Sequence, residues 1–294
     1  FQDLDPELWT AVLRPTLSDR KGKAMFIGTP RGVGSFSHEM YTMAKETKDW
    51  SAFTFTTVDG GQVAEGEINE AKRDLDERTF KQEYLATFNT YAGTVHYNFD
   101  RDKHVTPLTN FNTTNLHCGI DFNYDPMSVA ISVIENNCIY FVDEINLQGS
   151  NTDDIVTEIK NRYPNSRSTM YPDAAGRQRK TSAGGRTDIS ILQNAGFRVN
   201  YKLSNPPIRD RVNAVNSKLK NANGLFSMFI DPKCKQIIKS LERLQYKPNS
   251  SVIEHSGDEH MADAVGYLTD YLYPVKKETN INQPTRWGFS GSVR

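Results

Sequence analysis

The chain has 294 residues, 37% hydrophobic and 24% charged, which excludes collagen-like, coiled-coil and wholly disordered chains. No apolar run approaches the ~18 residues that a membrane span needs. Its 35 Lys and Arg against 36 Asp and Glu give a net charge of -1, so only the distribution of charge can speak for or against an anionic partner.

The sequence begins at Phe1 rather than Met and reads as a piece of something longer. Asp5-Pro6-Glu7 has the look of a helix start, with Asp5 as cap and Pro6 at the first helical position. Ala24 to Ile27 is a short apolar strand running into Gly28-Thr29-Pro30-Arg31-Gly32. Residues 35–47 read as a helix, and Ala52 to Thr56 alternates like a strand. Glu65 to Leu75 and Asp76 to Phe88 read as two helices, with Asp76 capping the second. Residues 96–114 lack periodicity and read as a linker.

Beyond residue 115 the pattern changes. Leu116 to Phe122, Ser128 to Glu135 and Cys138 to Ile145 are apolar segments with short connections, the last two joined by a two-residue turn at Asn136-Asn137. Thr152 to Tyr163 reads as a helix capped by Thr152, and Thr169 to Tyr171 as a strand ending at Pro172-Asp173. A helix at Asp188 to Ala195, closed by Gly196, precedes a strand at Phe197 to Tyr201. Helices at Ile208 to Leu219 and Lys233 to Leu244 flank a strand at Phe226 to Ile230, and Asp258 to Leu272 is the last helix. From Pro274 the tail is polar and patternless, as disordered tails are. Three antiparallel strands followed by alternating helices and strands predict a mixed sheet flanked by helices.

Charge is uneven along this order. Residues 1–100 hold 16 acidic and 11 basic residues, whereas residues 174–224 hold 10 basic and two acidic ones. The basic stretch is either a solvated face or a surface for phosphates. Just before it stand carboxylates that a metal site could use. Asp121 ends the first strand and Asp173 the fourth. If those strands are parallel neighbours, both emerge at one carboxyl-end edge, where open α/β sheets bind ligands. On the last helix His260 and Asp263 are three apart and share a face, beside small Ala262 and Ala264. Carboxylate oxygens suit hard divalent ions, and an ion pair held by three or four of them can cleave phosphodiesters.

Each residue also has a plainer reading. Asp121 and Asp173 could be turn or cap residues, and Asp258 a helix cap. A lone His260 would be an ordinary histidine. Asp125 before Pro126 reads as a turn former, and Asp143 and Glu144 as solvent-facing strand residues. The three cysteines, Cys118, Cys138 and Cys234, are too few and odd for a disulfide framework and are expected to be reduced, as in a cytosolic protein. No Cys-x-x-Cys, His-Glu-x-x-His, Gly-x-Ser-x-Gly or complete P-loop is present.

Taken in order, the motifs resemble the large terminase subunit of tailed bacteriophages over about residues 1–273. Phe1 to Trp9, Arg14-Pro15 and Phe26 to Gly32 look like the segment from after Walker B through the ATPase coupling motif. Phe80-x-Gln82-Glu83-Tyr84-Leu85-Ala86-x-Phe88 and Gly93-Thr94-Val95 are similar to the end of that ATPase domain. Gly119-Ile120-Asp121, Asp173-Ala174-Ala175 and His260-x-x-Asp263-Ala264 resemble the acidic motifs of its nuclease domain.

The resemblance implies an α/β chain with a ribonuclease H-like mixed sheet at 115–273. The rear of a P-loop ATPase domain would occupy 1–95, then a linker at 96–114, with a polar tail at 274–294. It implies Asp121, Asp173 and Asp263 as metal ligands with His260 beside them as ligand or helper. Asp258 and Glu259 remain open as the third group. The ions would be Mg²⁺ or Mn²⁺, two of them. Thr29 and Arg31 would lie in the coupling motif. Arg177, Arg179, Lys180, Arg186, Arg209 and Arg211 would hold the DNA backbone. The implied activity is metal-dependent cutting of concatemeric double-stranded viral DNA during packaging. The implied partners are DNA, a small terminase subunit and the portal protein, in a ring-shaped motor. The implied location is the host cytoplasm, transiently at the procapsid. ATP would serve the full-length motor only, because the Walker A lysine and Walker B acids lie outside these residues and ATP hydrolysis is not expected without them. Two other readings stay open: a resolvase- or transposase-type nuclease of the same fold, or a non-catalytic DNA-binding assembly module.

Overall fold

A computed structural model describes residues 4–18, 21–30, 32, 35–88, 93–178, 186–247 and 250–275. Its centre is a six-stranded sheet in the order β5-β4-β1-β2-β3-β6. The strands are β1 (Asn115–Asp121), β2 (Met127–Glu135), β3 (Cys138–Leu147), β4 (Arg167–Pro172), β5 (Arg198–Val199) and β6 (Met228–Ile230). β1, β2 and β3 pair antiparallel; β4 joins β1, β5 joins β4 and β6 joins β3 in parallel. This is a mixed sheet, as the strand and helix pattern predicts, and it agrees with the ribonuclease H-like fold that the resemblance implies. Asn136 and Asn137 make the tight β2–β3 turn with φ of 50° and 65°. Asparagine tolerates that left-handed backbone, which a two-residue hairpin needs.

Helices cover both faces. On one lie α7 (Thr152–Arg162) and α8 (Asp188–Asn194), and on the other α9 (Ile208–Leu219), α10 (Lys235–Arg243) and α11 (Glu259–Leu272). The period-2 alternation of β1 sends Leu116, Cys118 and Ile120 into the first layer, with Ile155, Ile159 and Leu192. The second layer packs Phe141, Met228, Ile230, Val215, Leu219, Leu241, Val265 and Leu268. All three cysteines are free thiols.

Ahead of the sheet, a π-helical turn at Leu8–Leu13 leads into α1 (Arg14–Ser18). There follow α2 (Phe36–Glu46), α3 (Thr57–Gly60), α4 (Glu65–Asp74), α5 (Glu77–Leu85) and α6 (Arg101–His104). Asp76 caps α5 as expected, accepting from the backbone N–H of Arg78 and Thr79. The same carboxylate accepts from Tyr97 Oη. Backbone bonds tie this region to the sheet body: Ala222 N–H to Leu75 O at 2.8 Å, Val95 N–H to Leu244 O at 2.8 Å and Tyr246 N–H to Gly93 O at 3.2 Å.

The structure corrects several local expectations. Residues 24–27 and 52–56 are not strands. Strand-forming side chains need a neighbouring strand, and no ladder among the described residues reaches them; Met25 and Phe53 stay 85% and 76% exposed. Phe26 is half-buried, edge-on to Trp9 and stacked with Trp50. Asn151 rather than Thr152 caps α7, and the Thr152 hydroxyl instead donates to Asp188 Oδ1 at 2.6 Å. α5 stops at Leu85, where Ala86 takes a left-handed backbone. Glu144 faces inward: its two oxygens accept the N–H groups of Gln236 and Ile237 at 2.8 Å each, capping α10. Among the described residues no helix is long and apolar enough to cross a membrane. The expected tail lies outside the described residues from 276 onward.

Candidate active site

The site is built by register. Ile120 pairs with Pro172 across the parallel β1–β4 ladder, and Asp173 N–H donates to Ile120 O at 3.1 Å. Asp121 and Asp173 therefore leave adjacent strands at one edge. Alternation turns Gly119 and Asp121 toward α11. That helix sits unusually close: a Cβ on Gly119 would lie 2.0 Å from Ala264 O. Only a residue without a side chain fits there, and the approach brings His260 and Asp263 onto Asp121. Gly176 does the same on the other side, since a Cβ there would lie 2.2 Å from the Phe122 ring.

His260 Nδ1 is 2.9 Å from Asp121 Oδ2, and His260 Nε2 is 2.8 Å from Asn123 Nδ2. Tyr124 N–H donates to Asn123 Oδ1, which fixes the amide orientation. Asn123 Nδ2 also lies 3.2 Å from Nδ1, and since the Asp121 carboxylate can only accept, it is Nδ1–H that donates to Asp121. The Asp121 hydrogen bond raises the His260 pKa above the usual imidazole value. Asn123 went unremarked in the sequence, although it continues the 119, 121, 123 alternation onto the α11 face.

Asp173 caps a turn at the same edge. Its Oδ1 accepts Gly176 N–H at 3.1 Å, closing a 3₁₀ turn at Ala174–Arg177. Burial, and then the charge of Asp121, push its pKa up to about 6. Asp263 is pushed up to about 6 by burial, with Arg211 opposing and Asp121 adding to the rise. The charge of Asp121 contributes to both rises, which places the three carboxylates near one another.

Arg211, counted above with the phosphate-holding cations, lies inside this cluster and not on the surface. It is 6% exposed, its Nη1 is 2.9 Å from Asp263 Oδ1, and its guanidinium sits over the Tyr267 ring at 4.3 Å. The inward period of α9, with Val215 and Leu219, carries position 211 inward too. Asp258 is engaged elsewhere: Lys239 Nζ lies 2.7 Å from its Oδ1, and its side chain makes no cap bond. Glu259 accepts from Ser256 N–H and lies 3.2 Å from His255 Nδ1.

The remaining basic residues are spread out. Arg177 Nη1 donates to Leu203 O at 2.8 Å, Arg186 reaches Asp153 at 3.4 Å and Arg209 reaches Asp210 at 3.5 Å. Arg31, Arg179 and Lys180 lie outside the described residues, and Thr29 sits half-buried in an extended segment. A cavity of about 910 Å³ opens at the opposite end of β1 and β4, beside Lys160, Arg167 and Arg198, away from the acidic cluster.

Three carboxylates and an imidazole fit a hard divalent cation in donor chemistry. Among the described residues no three such side chains already form a cage around one point. Asp121 is turned to His260 and Asp263 to Arg211.

No family model matches the chain. It is 23% identical over 292 residues to the terminase large subunit of Escherichia phage T5, covering 91% of this chain and 62% of that protein. The large terminase of a thermophilic bacteriophage, solved with ATP-gamma-S, aligns over 91% of this chain and 67% of that one, with TM-score 0.68 and 15% identity. The same protein with ADP gives TM-score 0.65 at 15% identity, over 90% and 66%. The chain is thus similar in sequence to the T5 terminase large subunit, spanning about 62% of its length, and shares the fold of the thermophilic phage's large terminase.

Proposed function

We propose that the chain carries the divalent-metal-dependent endonuclease of a phage DNA-packaging terminase, and that it cuts concatemeric double-stranded DNA. One observation carries this reading: Asp121, Asp173, Asp263 and His260 come from three separate elements and meet at the carboxyl edge of parallel β1 and β4. A turn or capping role explains each residue singly but not their convergence.

In this reading Asp121 and Asp173 hold the cation, Mg²⁺ or Mn²⁺, and Asp263 completes the acidic cluster. When bound, the cation supplies an activated water and stabilises the leaving oxygen. The protein's own part is positioning. His260 donates to Asp121 Oδ2 and so orients that carboxylate. Asn123, pinned by Tyr124 N–H, stands against the imidazole and orients it. Gly119 and Gly176 let α11 and Phe122 close on the two aspartates.

The DNA would be held through its backbone by exposed cations such as Arg177 and Arg186, with Arg179 and Lys180 beside them in sequence. A small terminase subunit, a portal protein and ATP belong to the whole motor in this reading, which works in the host cytoplasm. The segment 1–95 would be the rear of its ATPase domain, 96–114 the linker and 115–273 the nuclease domain. Incubation of supercoiled plasmid with Mn²⁺ or Mg²⁺ tests the central claim. Nicked and linear products are expected, and Asp173→Ala should lower their rate by at least ~10²-fold. Binding without cleavage in either metal would leave only an assembly module.

A further inference from the structure

We propose that the cavity at the amino-terminal edge of β1, β4 and β5 is a binding site for a free nucleoside di- or triphosphate, with the phosphates on Arg167 and Arg198 and the base on Phe197. The inference stands apart from the nuclease reading, and the failure of either leaves the other untouched.

Register builds this site as it builds the acidic one, but at the other end of the strands. Thr169 of β4 pairs with His117 on one side and with Arg198 on the other, so the three form one row on one face of the sheet. Arg167, opposite Asn115, lies on that same face because strand side chains alternate. From Asn115 to Asp121 the chain runs the whole of β1, ~20 Å at ~3.3 Å per residue, so the two sites are separate. Lys160 comes from the last turn of α7, and Phe197 from the turn that leads out of α8 into β5. The cavity holds about 910 Å³, within the ~300–1,000 Å³ of small-molecule sites.

Charge then chooses the class of ligand. Lys160, Arg167 and Arg198 bring three positive charges from three elements, and no carboxylate is among the residues that line the cavity. Among the described residues none of the three is in an ion pair. Tyr163 also lines the wall, but its hydroxyl donates to Asp143, and Arg162 already pairs that carboxylate at 3.2 Å. Such a set calls for an anion of several charges, and a guanidinium offers phosphate oxygens two parallel N–H donors. A polyphosphate chain carries that charge in one small group. The Phe197 ring, half-buried and 5.8 Å from Lys160 Nζ, adds an apolar surface that phosphate alone would leave unused and on which a base stacks.

The test is a calorimetric titration of the whole chain with ADP in EDTA, so that no metal ion can bridge the ligand to the acidic cluster. A Kd below about 1 mM is expected for ADP, with adenosine and pyrophosphate each at least about 10-fold weaker. Arg167→Gln and Arg198→Gln should each weaken ADP by about 10-fold or more, the loss of one charge-assisted contact. Both side chains are exposed, so these variants keep the fold. Phe197→Leu should weaken ADP and leave pyrophosphate unchanged, and Arg186→Gln, an exposed cation outside the cavity, should change neither. No heat from ADP up to about 5 mM would overturn the inference. So would ADP that binds the parent and the Arg167→Gln and Arg198→Gln variants equally, since it would then be bound elsewhere. Pyrophosphate as tight as ADP would overturn the nucleotide assignment. A short thymidine oligonucleotide that binds where ADP does not, and is lost in the same two variants, would make the cavity a strand-binding surface and overturn it as well.

Discussion

His96 is the residue at which solution pH should act most plainly on stability. It is 3% exposed, and neither ring nitrogen has a hydrogen-bond partner among the described residues. Beside it in sequence, Val95 packs with Val212, Leu244 and Ala262. Burial without a partner pushes the imidazole pKa down to about 3. Between that value and the usual ~6.5, the unfolded chain binds a proton that the native chain refuses, so stability falls as pH falls through that window. The slope approaches ~1.4 kcal/mol per pH unit below about pH 6. Urea midpoints of the parent chain and His96→Leu, compared from about pH 7.5 to 5, should diverge as the medium is acidified. The leucine variant should be the more stable throughout, because it also removes an unpaired buried polar group. Parallel curves would mean that His96 has a partner in solution.

At the scale of elements, the close approach of α11 to β1 is the feature that makes the site. Gly119→Ala would place a methyl 2.0 Å from Ala264 O, and backbone rather than a flexible side chain must yield. The helix then moves out, carrying His260 away from Asp121. A loss of ~2–4 kcal/mol, together with plasmid cleavage, is expected from overpacking at this position. Gly66→Ala in the first turn of α4 is the control: nothing stands within 4 Å of its Cβ, and alanine is the better helix former there. Equal behaviour of the two variants would show that the contact is loose. Much of this element-level design could be read from sequence. Asp121 and Asp173 fall at strand ends, His260 and Asp263 share a helical face, and Ala262 and Ala264 announce a close approach. Through-space pairings were less legible. Asp258 fits a cap by position, yet Lys239 claims it from another helix. Glu144 alternates as if outward, yet it closes the N-terminus of α10 across the fold. The strand-like 24–27 and 52–56 have the right residues and no ladder to join, because pairing is a property of neighbours and not of a segment.

At the scale of the whole molecule, net charge hides a division of labour among the arginines. A count along the sequence treats the ten basic residues of 174–224 as one surface. The structure sorts those it describes by depth. Arg177 and Arg186 are exposed, while Arg211 is buried and paired with Asp263. This difference can be read from salt dependence. A cation that meets a DNA phosphate releases a condensed counterion, so each such contact contributes ~0.9 to the slope of log K against log salt. A buried guanidinium releases none. In anisotropy titrations of a labelled duplex across a salt series, Arg177→Gln and Arg186→Gln should each lower the slope by about one. Arg211→Met should leave it unchanged. A slope that falls equally for all three would move Arg211 from the acidic cluster to the DNA surface. A slope that falls for Arg177 and Arg186 alone would separate the exposed arginines from the one held against Asp263.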